Sequence, residues 1–70
     1  MDQSVSVFVN GERRELQSPS TIADLLQKLE LPLRGVAVEV NEQIVPRLRH
    51  AEQQLADGDR LEIVSLVGGG

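Results

Sequence analysis

The chain has 70 residues, 11 acidic against 7 basic side chains for a net charge of −4, no cysteine, and Phe8 as its sole aromatic residue. Disulfides, thiolate metal sites and a cysteine nucleophile are excluded, and a nucleic-acid partner is disfavoured, since that calls for a basic stripe and stacking aromatics. A chain this short forms one domain that buries only about 60% of the surface its unfolded form exposes, with no room for a deep catalytic cleft.

Val5, Val7 and Val9 alternate with Ser4, Ser6 and Phe8. That is the period of a half-buried strand with the valines inward. Asn10-Gly11 follows, a hairpin signal because both positions of a type I′ turn take positive φ. The return strand is Glu12 to Gln17, with Leu16 on the same side as Val5, and Ser18-Pro19-Ser20 ends it. Thr21 opens a helix, and Asp24, three residues on, supplies the reciprocal half of a capping box. Ile22, Leu25, Leu26 and Leu29 then fall at i, i+3, i+4 and i+7, one apolar stripe over two to three turns. Pro32 and Gly35 mark the following loop.

Val36, Val38 and Val40 alternate with Ala37 and Glu39 in a third strand. Asn41-Glu42 turns the chain into the short piece Ile44-Val45, stopped by Pro46, which places it at a sheet edge. Arg47 to Gln54 shows no period beyond one helical turn. Asp57-Gly58-Asp59 is a tight turn, and Arg60 to Ser65 is the last strand, with Leu61 and Ile63 inward and Arg60, Glu62 and Val64 outward. The fold class is α+β: a mixed sheet of four to five strands packed on one helix. The first and last long strands are expected to be central neighbours. That divides the chain into one domain over residues 1–66 and a glycine-rich tail over residues 67–70.

The pieces Val9-Asn10-Gly11-Glu12, Thr21-Ile22-Ala23-Asp24-Leu25-Leu26, Val36-Ala37-Val38-Glu39-Val40-Asn41, Ile44-Val45-Pro46-Arg47, Leu55-Ala56-Asp57-Gly58-Asp59 and Val67-Gly68-Gly69-Gly70 stand in one order and spacing. Together they resemble the ThiS family, ubiquitin-like β-grasp sulfur carriers of thiamine thiazole biosynthesis, from about Val5 to Gly70. The resemblance implies that the Gly70 carboxylate is adenylated by a ThiF-like partner using ATP and Mg²⁺. A sulfur donor protein then displaces AMP to leave a thiocarboxylate, and the sulfur passes to a ThiG-like thiazole synthase. The resemblance further implies that the carrier is no enzyme and binds no cofactor of its own.

The residues fit that chemistry on their own terms. A terminal carboxylate ionises near pH 3.5 and is a poor electrophile until activated. Activation with ATP needs Mg²⁺ and positioned cations, and the chain holds no Walker loop, so activation is expected in trans. Five extended residues from Leu66 reach about 17 Å, and glycines allow a close backbone approach inside another protein's channel. Val67, Gly68, Gly69 and Gly70 are therefore the residues expected to enter partner active sites, with Gly70 the one modified. Phe8, Val64 and Leu66 fall on the open sheet face by alternation and read as a docking patch.

Other residues are weaker candidates. His50, the single histidine, has no Cys or second His to build a metal site or a relay with. Asp57 and Asp59 lack EF-hand spacing and read as turn makers. Arg47 and Arg49 read as solvated surface. Met1-Asp2-Gln3-Ser4 lacks the basic and apolar regions of a signal peptide, and no apolar run approaches the roughly 20 residues of a membrane span. The expectation is a cytoplasmic protein without a membrane partner. Competing readings are the small subunit of molybdopterin synthase, a ubiquitin-like modifier conjugated through Gly70, and an interaction module with an inert tail.

Overall fold

The computed structural model describes residues 3–32 and 34–66. Five strands and one helix follow the expected order: β1 Ser4–Val9, β2 Glu12–Gln17, α1 Ile22–Lys28, β3 Val36–Val40, β4 Gln43–Val45 and β5 Arg60–Ser65, with a single 3-10 turn at Arg47–Arg49. The sheet order is β2-β1-β5-β3-β4. β1 and β5 run parallel, and every other pairing is antiparallel. The last strand therefore occupies the middle of the sheet, and β4 lies at an edge, as its short length and Pro46 required.

The two hairpins are set by their turn residues. Asn10 and Gly11 adopt φ of 50° and 87°, the two positive values a type I′ turn needs. The two-residue loop puts Val5 opposite Leu16. Asn41 and Glu42 repeat the device at φ of 53° and 70°, between β3 and β4.

One face of the sheet is covered by α1. The helix buries Ile22, Leu25 and Leu26 completely, and each such side chain contributes about 1.5–3 kcal/mol by leaving water. They meet Val7, Val9, Leu16, Val36, Val38, Val40, Val45, Leu61 and Ile63 from all five strands, with Leu55 from the loop. Seven residues are too few for a helix to persist alone, so this packing holds it.

The start of α1 leaves no donor free. Thr21 Oγ1 accepts from the Asp24 N–H at 3.1 Å, and Asp24 Oδ2 accepts from the Thr21 N–H at 2.9 Å, completing the capping box. The Ile22 N–H donates to the Gln53 carbonyl and the Ala23 N–H to the His50 carbonyl, at 3.1 and 2.9 Å. The stretch after β4 thus folds over the helix N-terminus and is fastened there, with Leu55 N–H donating to the Ser20 carbonyl at 2.8 Å.

Candidate functional site

The candidate site is the end of β5 and the sheet face around it. β5 is hydrogen-bonded on both sides, and two asparagines at hairpin turns reinforce it from opposite flanks. On the β1 side, the backbone N–H of Asn10 donates to the Leu61 carbonyl at 2.9 Å. Its side chain accepts from the Ile63 N–H at 2.8 Å and donates to the Ile63 carbonyl at 3.2 Å. The side-chain amide imitates a peptide group and continues the parallel ladder past the point where β1 turns away. On the β3 side, the Asn41 N–H donates to the Arg60 carbonyl at 2.7 Å, its Oδ1 accepts from the Arg60 N–H at 3.0 Å, and its Nδ2 donates to Asp59 at 3.0 Å. At the far end, the Leu66 N–H donates to the Gly35 carbonyl at 2.6 Å. The strand is pinned from Arg60 through Leu66. Val67, Gly68, Gly69 and Gly70 lie outside the described residues.

The face of the sheet away from α1 carries Phe8, Arg60, Glu62, Val64, Ala37, Glu39 and Ile44 on its inner three strands and the β4 edge, by the alternation of buried and exposed positions. Phe8, Val64 and Leu66 are all exposed, at 36%, 54% and 66%. They form two groups rather than one. Val64 lies opposite Ala37 and close to Leu66, while Phe8 lies opposite Arg60, four positions back along β5. That is about 13 Å along the strand, with Glu62 between. Sequence alternation assigns the face correctly but not the register of β1 against β5, which decides the spacing.

The weaker candidates are structural. Asp57 Oδ1 accepts from the Ser6 N–H at 2.7 Å and Asp59 Oδ2 from the Ala56 N–H at 2.8 Å, so both carboxylates fasten the turn between them. His50 is buried at 4% exposure, and its Nε2 lies 3.0 Å from the Val45 carbonyl, tying β4 to the stretch over the helix start. Arg47 and Arg49 are exposed. A helix N-terminus is a ready phosphate site when its N–H groups are free. Here those of Ile22, Ala23 and Asp24 are taken by Gln53, His50 and Thr21. Among the described residues no three His, Asp or Glu side chains converge on a metal position, and no helix is long and apolar enough to cross a membrane.

A profile of the ThiS family matches residues 7–70. The chain belongs to the ThiS family. It is 39% identical over 64 residues to the sulfur carrier protein ThiS of Thermus thermophilus, covering 91% of this chain and 98% of that one. It is 42% identical over 66 residues to a thiazole synthase of Paramagnetospirillum magneticum, covering 94% of this chain but only 20% of the synthase. This ThiS-family chain therefore spans about a fifth of the length of that enzyme. The crystal structure of the thiamine biosynthesis protein ThiS from Geobacter metallireducens superposes with a TM-score of 0.77 at 26% identity, over 94% of this chain and all of that one. The ThiS-family match and this likeness agree on a β-grasp fold: a mixed five-stranded sheet on one helix.

Proposed function

We propose that the chain is a sulfur carrier of thiamine biosynthesis and supplies no catalytic group of its own. A ThiF-like enzyme joins the Gly70 carboxylate to AMP, using ATP and Mg²⁺ and releasing pyrophosphate. Sulfide supplied by a donor protein attacks the carbonyl carbon of this acyl-adenylate, one carboxylate oxygen departs with AMP, and a thiocarboxylate remains. A thiazole synthase then takes that sulfur. The observation that carries this reading is the ThiS family match, which runs through the glycines to residue 70. The pinned strand β5, with Leu66 fastened just beyond its end, supports it, because a tail entering another enzyme needs a firm base and a featureless end. The occupied helix N-terminus supports activation in trans, since the donors a nucleotide phosphate would use are already spent. The similar stretch inside a thiazole synthase supports a synthase as the acceptor.

Residues 1–66 act as the holding and docking domain, and residues 67–70 as the tail that enters partner sites. Intact-mass spectrometry tests the reading, after incubation with the adenylating enzyme, ATP, Mg²⁺ and a sulfur donor. The expected product carries the oxygen-for-sulfur mass increase, localised to Gly70. Isopeptide-linked adducts would instead indicate a modifier, and an unchanged mass an inert module. Loss of the gene should require thiazole for growth; a requirement for molybdopterin instead would assign the carrier to that pathway.

A further inference from the structure

We infer that the open sheet face receives an arginine of the adenylating partner between Glu39 and Glu62, beside Phe8; this rests on the sulfur-carrier reading above. The register of β3 against β5 sets Glu39 directly opposite Glu62, with about 5 Å between their Cβ atoms. Like charges in that relation destabilise a sheet. Among the described residues neither carboxylate is in an ion pair; the two pairs present, Arg13 with Glu15 and Arg14 with Glu12, both lie on β2. Glu39 is half-buried, so its charge is less screened than one at the rim. The isolated domain thus sets two like charges side by side at the middle of its open face, with Arg60 the one cation lining the same depression.

The surroundings favour a flat cation. Glu39, Glu42 and Glu62 share a depression of about 590 Å³ with Phe8 and Arg60. Three carboxylates outweigh one guanidinium, leaving the depression negative. A guanidinium pairs with carboxylates through two parallel hydrogen bonds and stacks on an aromatic ring, so it can use the acids and Phe8 together. A second copy of the chain, at net charge −4, would bring like charge to the same place. Glu62 also leads along β5 to Val64 and Leu66 on the same face, the apolar end nearest the tail. A partner holding the tail lies over this face, and its arginine would set the register.

The test compares the Glu39→Gln/Glu62→Gln double variant with Glu12→Gln/Glu15→Gln, which removes the same charge from the paired acids of β2. Binding to the ThiF-like enzyme is titrated across salt concentrations, and thermal melting is recorded alongside. The face variant should bind about tenfold more weakly at low salt and less than about threefold more weakly near 0.5 M, while melting no lower than the parent. The β2 variant should bind within about twofold of the parent. Equal weakening in both variants would reduce the effect to net charge and overturn the inference, as would unchanged affinity in the face variant. Sulfur loading of the parent is measured in the same preparation: a loaded parent with indifferent face glutamates sinks only the docking inference, whereas an unloaded parent sinks the carrier reading.

Discussion

Replacing Asn10 tests whether the tail-bearing strand is held by a side chain as well as by its neighbours. In Asn10→Ala the Ile63 N–H and carbonyl both lose their partner in a part-buried position. Two hydrogen bonds at about 0.5–1.5 kcal/mol each give about 1–3 kcal/mol. Alanine at φ of 50° adds roughly 1 kcal/mol, because its Cβ crowds the backbone in the left-handed region. The sum, about 2–4 kcal/mol, is a large share of the roughly 3.5–10 kcal/mol expected for a domain of this length. Asn10→Gly keeps the turn but not the side chain, so it should lose only the hydrogen-bond part, about 1–3 kcal/mol. Asn10→Asp retains the acceptor for the Ile63 N–H and should fall between parent and glycine. With no Trp or Tyr in the chain, urea unfolding is followed by far-ultraviolet circular dichroism. An alanine variant within about 0.5 kcal/mol of the parent would refute the side-chain clamp, and a glycine variant as damaged as alanine would refute the backbone contribution.

Deleting Gly70 should abolish sulfur loading, read by intact mass, and leave the melting temperature of the domain nearly unchanged. Gly69→Pro should likewise block loading while the fold survives, because proline fixes φ and adds bulk where the tail must pass; normal loading would contradict a narrow channel. Thr21→Ala removes the acceptor for the Asp24 N–H and should cost about 1 kcal/mol, a drop of about 4–8 °C in melting temperature. Phe8→Ala should weaken binding to the adenylating enzyme in a titration without unfolding the domain, and unchanged affinity would remove Phe8 from the docking face.

Local chemistry carries much of this fold in readable form. Asn10-Gly11 declares its turn, Thr21 and Asp24 their capping box, and the valines of β1 and β3 their inward faces, because each signal acts over about five residues or fewer. The central position of β5 beside β1 is also legible, since the hairpin and the crossover helix leave little other room. What is not legible depends on register between distant strands. The Asn10 side chain reaches a residue 53 positions away, and nothing in the Asn-Gly pair marks it as more than a turn. The Glu39–Glu62 opposition and the gap between Phe8 and Val64 arise in the same way. His50 shows a further limit: its neighbours Arg49 and Ala51 are exposed, and only the folding of its loop over the helix start buries it. The role expected of the Gly70 carboxylate rests instead on the resemblance carried by the ordered pieces of the sequence, and it lies outside the described residues.

The central position of β5 has a mechanical consequence. A pull on the C-terminal end of this strand acts lengthwise, against parallel β1 on one flank and antiparallel β3 on the other. Such a load is shear: the ladder bonds on both sides, and those of Asn10 and Asn41, share the force and must yield together. An edge strand such as β4 would peel one bond at a time. The domain can therefore bear a pull applied at the end of β5 without unravelling strand by strand. A single-molecule pull on the C-terminus should accordingly meet a higher rupture force than a pull that detaches β4 from the sheet.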